Sequence, residues 1–208
     1  MTTTDEETSM DSAKENILEC ARMCRDVYDC DDDVLLRERE GSLLIAIEGS
    51  DTIGNWYDNI SFAMRTRDVH RGFSRYARYV QSAYDLARMV SAFDRVVVSG
   101  HSLGAAAAVL LVYNMREALR GKDVELVLFG APKVGGADFV ARFREKCDFV
   151  RMHSYATNFD VISRLPFSLF GYVPIAESVY LPCSYRVFIL TNHSMHTYIS
   201  GLEGLAQV

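Results

Sequence analysis

Short runs of apolar and β-branched residues alternate with longer segments of helical periodicity along most of the chain. The strand-like runs are residues 42–47, 95–99, 124–129, 149–155 and 186–190, and the helix-like segments are residues 12–28, 73–90, 103–119, 137–146 and 195–205. Strands that are separated by helices need crossover connections, which favour parallel pairing and place helices on both faces of the sheet. The pattern therefore predicts an α/β fold with a mainly parallel central sheet.

The length and composition indicate one domain. The chain has 208 residues, of which 49% are hydrophobic and 24% are charged, a balance typical of a globular domain with a sizeable core. No repeat or Pro/Gly/Ser-rich linker interrupts it. We predict an acidic leader and first helix over residues 1–33, followed by a single domain over residues 34–208. The formal net charge of −6 and the absence of a long basic run argue against nucleic acid as a partner.

Two further patterns bear on the cellular location. Residues 1–7 lack the basic and then apolar pattern of a secretory signal, and no run approaches the roughly 20 apolar residues of a membrane span. The five cysteines match no paired metal-binding spacing and do not demand a disulfide framework. These patterns predict a cytoplasmic protein with reduced thiols and no metal site.

A GxSxG pentapeptide occupies residues 100–104. The pentapeptide alone is common by chance, but here it directly follows a predicted strand and directly precedes a predicted helix, as a nucleophile elbow requires. Glycine at positions 100 and 104 keeps side chains out of a tight turn, so that the hydroxyl of Ser102 can project at the carboxyl end of the sheet. We predict that Ser102 is a nucleophile and that the adjacent His101 is a packing residue.

A serine hydroxyl needs a histidine to accept its proton and a carboxylate to orient that histidine. Asp160 follows the predicted strand 149–155, and His193 follows the predicted strand 186–190. Because parallel strands deliver the residues after them to one rim of the sheet, we expect both side chains near Ser102. The sequence thus predicts a Ser102, His193 and Asp160 triad.

Two backbone donors are also needed for the oxyanion of a tetrahedral intermediate. The N–H of Leu103 would lie at a helix N-terminus directly after the nucleophile. The loop after strand 42–47 reaches Ser50, which could supply both an N–H and a hydroxyl.

Five motifs occur in order along the chain. They are EGS at residues 48–50 with Asn55, Trp56 and Asp58 shortly after it, VHRGF at 69–73, GHSLG at 100–104, FGAPKVG at 129–135 and DVISRLP at 160–166. This set resembles the class 3 (fungal-type) lipases of the α/β-hydrolase superfamily, from about residue 43 to residue 198. The resemblance implies an α/β-hydrolase fold without a cofactor or metal, the same triad, and oxyanion donors at Ser50 and Leu103. In that family the catalytic histidine precedes a tyrosine by a few residues, which favours His193 with Tyr198 over the runner-up, His196.

Two apolar segments are candidates for the substrate site. The resemblance implies that residues 51–62, which contain Trp56, form a lid, although a fixed wall of the site is the alternative. Residues 165–182 are predicted to be a long apolar loop, whose Phe167 and Phe170 could contact an acyl chain. Trp56, Phe167 and Phe170 are therefore the predicted substrate-binding residues.

These observations lead to one functional expectation and two rivals. We expect a serine ester hydrolase that cleaves acylglycerols or related lipid esters through an acyl-serine intermediate, with transient contact to a membrane or lipid-droplet surface. A phospholipase, thioesterase or acyltransferase would share every residue named. A non-catalytic, hydrolase-like binding module is the rival of a different class.

Overall fold

A computed structural model of the chain describes residues 3–49, 68–166, 168, 171–184 and 189–205. The strands in this part are β1 (Val34–Arg39), β2 (Ser42–Ile47), β3 (Arg95–His101), β4 (Asp123–Phe129), β5 (Gly135–Gly136), β6 (Val150–Thr157), β7 (Tyr172–Val173) and β8 (Val179–Leu181). The α-helices are α1 (Thr3–Asp26), α2 (Arg71–Ala83), α3 (Leu86–Met89), α4 (Leu103–Asn114), α5 (Arg116–Leu119), α6 (Ala137–Lys146), α7 (Ile189–Asn192) and α8 (Met195–Leu205). Short 3₁₀ turns follow α1 and α3 and lie at Ile162–Arg164.

Among the described residues, six strands form the central sheet in the order β1-β2-β3-β4-β6-β8. The β1 strand pairs with β2 in antiparallel fashion through a tight turn, and every other neighbouring pair in this sheet is parallel. A separate two-stranded sheet joins β5 to β7. The predicted mainly parallel sheet with flanking helices is confirmed.

Alternation along the central strands creates a core on each face of the sheet. Successive side chains of a strand point to opposite faces. Accordingly, Ile45 and Val98 pack with the layer that contains α2, α4 and α6. Their neighbours Ala46 and Val97 pack with α1 and α8 on the other face. The uninterrupted apolar runs of the sequence are thus explained by burial on both sides.

The α4 helix is almost completely enclosed and depends on small residues. Ala105, Ala106, Ala107 and Ala108 all have no exposed surface. At the start of the helix, a Cβ added to Gly104 would lie only 2.2 Å from the carbonyl oxygen of Ile47. The absence of side chains there allows α4 to approach β2 closely enough to bring the elbow against the neighbouring strand.

The second half of α1 packs on the core. Ala21, Met23 and Cys24 are fully buried against the face that also carries α8. All five cysteines are free thiols. Burial raises the pKa of Cys24 to about 12, so this thiol stays neutral.

Three element predictions need correction. The helix predicted over residues 73–90 is interrupted after Ala83, where Asp85 adopts a left-handed conformation with φ of 45° that a short polar residue tolerates. The helix predicted over residues 103–119 is divided between α4 and α5.

The third correction concerns the last strand. Of the strand predicted over residues 186–190, Ile189 and Leu190 lie in α7, and residues 186–188 lie outside the described residues. The sixth strand is instead β8, within the segment predicted to be a long loop. A short apolar run cannot by itself distinguish a strand from a buried helical turn, and this ambiguity explains the error.

The close approach of α4 to β2 yields a stability prediction. Gly104→Ala should lower the free energy of unfolding by about 1–3 kcal/mol, because the added methyl group meets the backbone of β2 rather than a movable side chain. The matched control is Gly204→Ala in α8, where a Cβ would meet nothing within 4 Å. Chemical denaturation of both variants tests the expectation, and equal stability of the two would contradict it.

Candidate active site

Ser102 lies at a strained turn between β3 and α4. Its backbone has φ of 57° and ψ of −122°, an uncommon conformation for a residue other than glycine. The Ser102 N–H donates to the carbonyl of Phe129 at 3.0 Å, which ties the turn to the end of β4. A Cβ on Gly100 would lie 2.4 Å from the backbone of Gly104, so the turn requires glycine there. This is the geometry predicted from the pentapeptide.

Asp160 and His193 form a buried hydrogen-bonded pair. The Nδ1–H of His193 donates to Asp160 Oδ2 at 2.7 Å, and the two side chains are 1% and 0% exposed. Because Nδ1 carries the proton, the Nε2 atom of neutral His193 is left as an acceptor. That nitrogen is buried and has no hydrogen-bond partner among the described residues. It is the atom that a general base would use.

Two further donors complete the surroundings of the Asp160 carboxylate. The hydroxyl of Tyr198 donates to Oδ2 at 2.5 Å, and the N–H of Ile162 donates to Oδ1 at 2.8 Å. Burial alone would raise the pKa of Asp160, but the bonds from His193, Tyr198 and Ile162 outweigh it, and the pKa is lowered. The carboxylate is therefore charged at neutral pH and able to hold the imidazole.

Contacts of His193 with the residue before Ser102 and with the end of β4 bring it to the elbow. The ring of His101 lies against that of His193, with centroids 4.4 Å apart. A Cβ on Gly130, the residue after the carbonyl that binds Ser102, would lie 2.8 Å from His193 Cε1 and from Asp160 Oδ2. No hydrogen bond joins the Ser102 hydroxyl to His193 within the described part of the chain. Such contacts are often longer in unliganded enzymes.

The oxyanion side of the site is described in part. Leu103 is the first residue of α4, where backbone N–H groups have no acceptor within the helix. The loop after β2 is held by a bond from the Glu48 N–H to the carbonyl of Asp33 at 2.8 Å and by the Tyr76 hydroxyl, 3.1 Å from the carbonyl of Glu48. Ser50, which follows this loop, lies outside the described residues.

The predicted substrate-binding residues are not placed by the structure. Trp56, Phe167 and Phe170 lie outside the described residues, as does the whole segment 51–62. Of the predicted apolar loop, Leu165 and Ile175 are buried in the core beside α4 and α6. Part of that segment is thus structural rather than free to line a substrate pocket.

The remaining histidines have distinct surroundings. His196 is exposed on α8, whereas His193 is buried against Asp160. His70 is buried beside Phe73, and burial lowers its pKa. His153 approaches Glu125 at 4.0 Å on a half-exposed part of β6. In the described ranges no group of three histidine, cysteine or acidic side chains is arranged to hold a metal ion.

Two tyrosines, Tyr198 and Tyr28, make contacts at this site that the sequence does not predict. The resemblance uses Tyr198 only to distinguish His193 from His196, whereas in the structure its hydroxyl donates to the Asp160 carboxylate. Periodicity places Tyr28 at the end of the first helix and predicts no role for its hydroxyl, which lies 2.8 Å from His101 Nδ1. A tyrosine at helical spacing is typical of a core residue, so periodicity predicts neither hydroxyl contact.

Residues 44–170, more than half of the chain, match the family Lipase (class 3). The chain belongs to the class 3 lipases. It is similar to the secreted mono- and diacylglycerol lipase 1 of Fusarium solani, with 30% identity over 143 residues that cover 62% of this chain and 41% of that protein. It is also similar to phospholipase A1-IIdelta of Arabidopsis thaliana, with 37% identity over 82 residues, or 38% of this chain and 20% of that protein. The chain spans less than half the length of either relative.

The fold is that of solved lipases. The crystal structure of the Lip2 lipase from Yarrowia lipolytica superimposes with a TM-score of 0.64 at 17% sequence identity, covering 83% of this chain and 80% of that one. At this level of identity the likeness concerns the fold alone, and it agrees with the α/β-hydrolase fold that the motifs implied.

The Tyr198 bond to Asp160 yields a pH-dependent prediction. Tyr198→Phe should lower the free energy of unfolding by about 1–2 kcal/mol at neutral pH, because a buried carboxylate loses a donor. A lowered pKa stabilises the fold above the unfolded-state value near 3.9, and this contribution disappears as the pH falls through the folded-state value. The effect of the substitution should therefore shrink in acid.

Denaturation of Tyr198→Phe at neutral pH and at about pH 3 measures this difference. The control is Tyr180→Phe, since Tyr180 is 55% exposed on β8. A destabilisation by Tyr198→Phe that is the same at both pH values would refute the assigned role of the hydroxyl.

Proposed function

We propose that this chain is a serine hydrolase that cleaves acylglycerols through an acyl-serine intermediate. The observation that carries the proposal is the buried bond from His193 to Asp160, adjacent to the strained Ser102 turn. Membership of the class 3 lipases supports the same chemistry. A non-catalytic binding module would not need a charged carboxylate buried under a histidine whose second nitrogen is left as an acceptor.

The proposed reaction has two halves. The Ser102 Oγ attacks the ester carbonyl carbon while its proton passes to His193 Nε2, and Asp160 stabilises the imidazolium that forms. The N–H of Leu103, together with Ser50, binds the oxyanion. His193 then gives the proton to the departing alcohol oxygen as the ester bond breaks. Water attacks the acyl-serine in the same manner and releases the fatty acid, which restores Ser102.

Phospholipids are the second candidate substrate. The Fusarium relative is named a mono- and diacylglycerol lipase and the Arabidopsis relative a phospholipase A1. Acylglycerols and phospholipids both contain acyl esters of glycerol, so the proposed triad chemistry applies to either substrate. We propose that Trp56, Phe167 and Phe170 contact the acyl chain in both cases.

An arginine-rich face of α2 supports contact with a lipid surface. Arg71, Arg75 and Arg78 are exposed and recur at helical spacing on one side of the helix. The helix sequence contains no acidic residue that would neutralise them. Basic residues on a helix face are attracted to anionic headgroups by about 1 kcal/mol each near the surface. We propose that this face helps to bring the protein to membranes or lipid droplets.

The lipid-surface proposal predicts a charge-dependent interaction. The double variant Arg75→Glu and Arg78→Glu should bind more weakly to vesicles that contain anionic phospholipid, and added salt should weaken the binding of the unchanged protein. Vesicle co-sedimentation measures this effect, with Arg144→Glu on α6 as an exposed control. Equal vesicle binding by the double variant and by Arg144→Glu would exclude the α2 face as the lipid-binding surface.

The cellular location remains a prediction. The sequence favoured a cytoplasmic protein, whereas two relatives are named secreted lipases, which favours an extracellular site. No helix within the described residues is both long and apolar enough to cross a membrane.

The catalytic proposal is tested by one substitution and a graded set of esters. Ser102→Ala should reduce hydrolysis of a chromogenic short-chain ester to background and prevent labelling by a fluorophosphonate, because both reactions need the Ser102 hydroxyl. Unchanged activity would refute the assignment. The unchanged protein should hydrolyse mono-, di- or triacylglycerols faster than phospholipids, and the reverse order would select the phospholipase alternative.

A further inference from the structure

His101 contacts the catalytic histidine in two ways. Its Nε2 lies 2.7 Å from the backbone carbonyl oxygen of His193, and its ring packs against the ring of His193. Both residues are nearly devoid of exposed surface. His101 therefore restrains the backbone and the ring face of a residue that lies 92 positions away in sequence.

We infer that His101 and Tyr28 act as a positioning pair that holds His193 in its reactive orientation. The inference rests on the proposed function, since it assigns these residues to the orientation of its base. Asp160 fixes the Nδ1 edge of the imidazole, and His101 fixes the carbonyl and one face. Together these contacts leave the His193 Nε2 edge available for Ser102.

Hydrogen-bond chemistry defines the tautomer of His101. A carbonyl oxygen only accepts, so the Nε2 of His101 must carry its proton and donate it to the carbonyl of His193. In the neutral ring Nδ1 is then an acceptor, and the Tyr28 hydroxyl, 2.8 Å away, is its donor. Tyr28 thus selects the tautomer that can bind His193, as a second hydrogen bond commonly does for functional histidines.

The positioning pair also keeps a second positive charge away from the site. Burial, and to a smaller extent the neighbouring His193, lower the pKa of His101 to about 3. His101 is therefore neutral over the range in which an ester hydrolase works. When His193 accepts the serine proton, it faces a neutral ring rather than a like charge.

Tyr28 connects this arrangement to the N-terminal part of the chain. It lies in the 3₁₀ turn directly after α1, next to the fully buried Val27. A Cβ on Gly49 would lie 2.0 Å from the Tyr28 hydroxyl oxygen, so the glycine of the loop after β2 gives this side chain its path to His101. The turn that follows the first helix thereby supplies a side chain that contacts His101.

Substitution of His101 tests the inference through catalysis rather than stability alone. His101→Leu should lower kcat by about 10- to 100-fold with little change in KM, because a misoriented base slows the chemical step more than substrate binding. His101→Gln retains an N–H donor for the His193 carbonyl and should recover most of the lost kcat. Tyr28→Phe should lower kcat by about 3- to 10-fold, the value of one hydrogen bond.

A double-mutant cycle separates positioning from general packing. If Tyr28 acts through His101, Tyr28→Phe should have no further effect on kcat once His101→Leu is present. His153→Gln on β6 is the control histidine substitution and should leave kcat unchanged. Thermal unfolding identifies any variant that does not fold. If His101→Leu does not fold, the values of kcat for His101→Gln and Tyr28→Phe test the inference instead.

The possible failures are distinguishable. If Ser102→Ala is as active as the unchanged protein, the proposed function fails. If Ser102→Ala is inactive but His101→Leu keeps full kcat, or Gln rescues no better than Leu, only the positioning role is overturned. If the fold losses in kcat from Tyr28→Phe and His101→Leu multiply in the double variant, the two residues act independently and the proposed positioning pair is rejected.

Discussion

The site depends on a carboxylate that is removed from water and yet remains charged. Asp160 has no exposed surface, and an ionised carboxylate in such a place is tolerated only when its oxygens are hydrogen-bonded. The donors come from three places: His193 in the turn after α7, Tyr198 in α8 and the backbone of Ile162. The three donors come from different parts of the chain and bind one carboxylate. The packing of α8, which supplies Tyr198, therefore affects the same carboxylate that orients His193.

Much of the fold and of the candidate site could be predicted from sequence because the signals were local. The buried strands are continuous apolar runs, and the strand, GHSLG and helix order around Ser102 reproduces the elbow found in the structure. The order of residues in the chain and the resemblance of the motifs predict a pair of Asp160 and His193, and the structure brings them within hydrogen-bond distance. These features follow from the spacing and order of residues along the chain, which are visible in the sequence itself.

The errors and omissions come from interactions between distant segments. The segment 186–190 has the composition of a strand, but β8 occupies the place beside β6 and the described end of that segment is helical. Tyr28 resembles any apolar residue on a helix, and only the tertiary contact with His101 shows what its hydroxyl does. Periodicity describes which face a residue occupies and contains no information about its partner across the fold.

The position of His193 in a turn between two helices has a consequence for how such enzymes can diverge. Since this residue is not part of a strand, the hydrogen-bond register of the sheet does not determine where its ring lies. Insertions or deletions between β8 and α7 are therefore compatible with an intact site as long as α8 docks in the same place. The length of the segment between β8 and α7 can therefore vary independently of the hydrogen bond between His193 and Asp160.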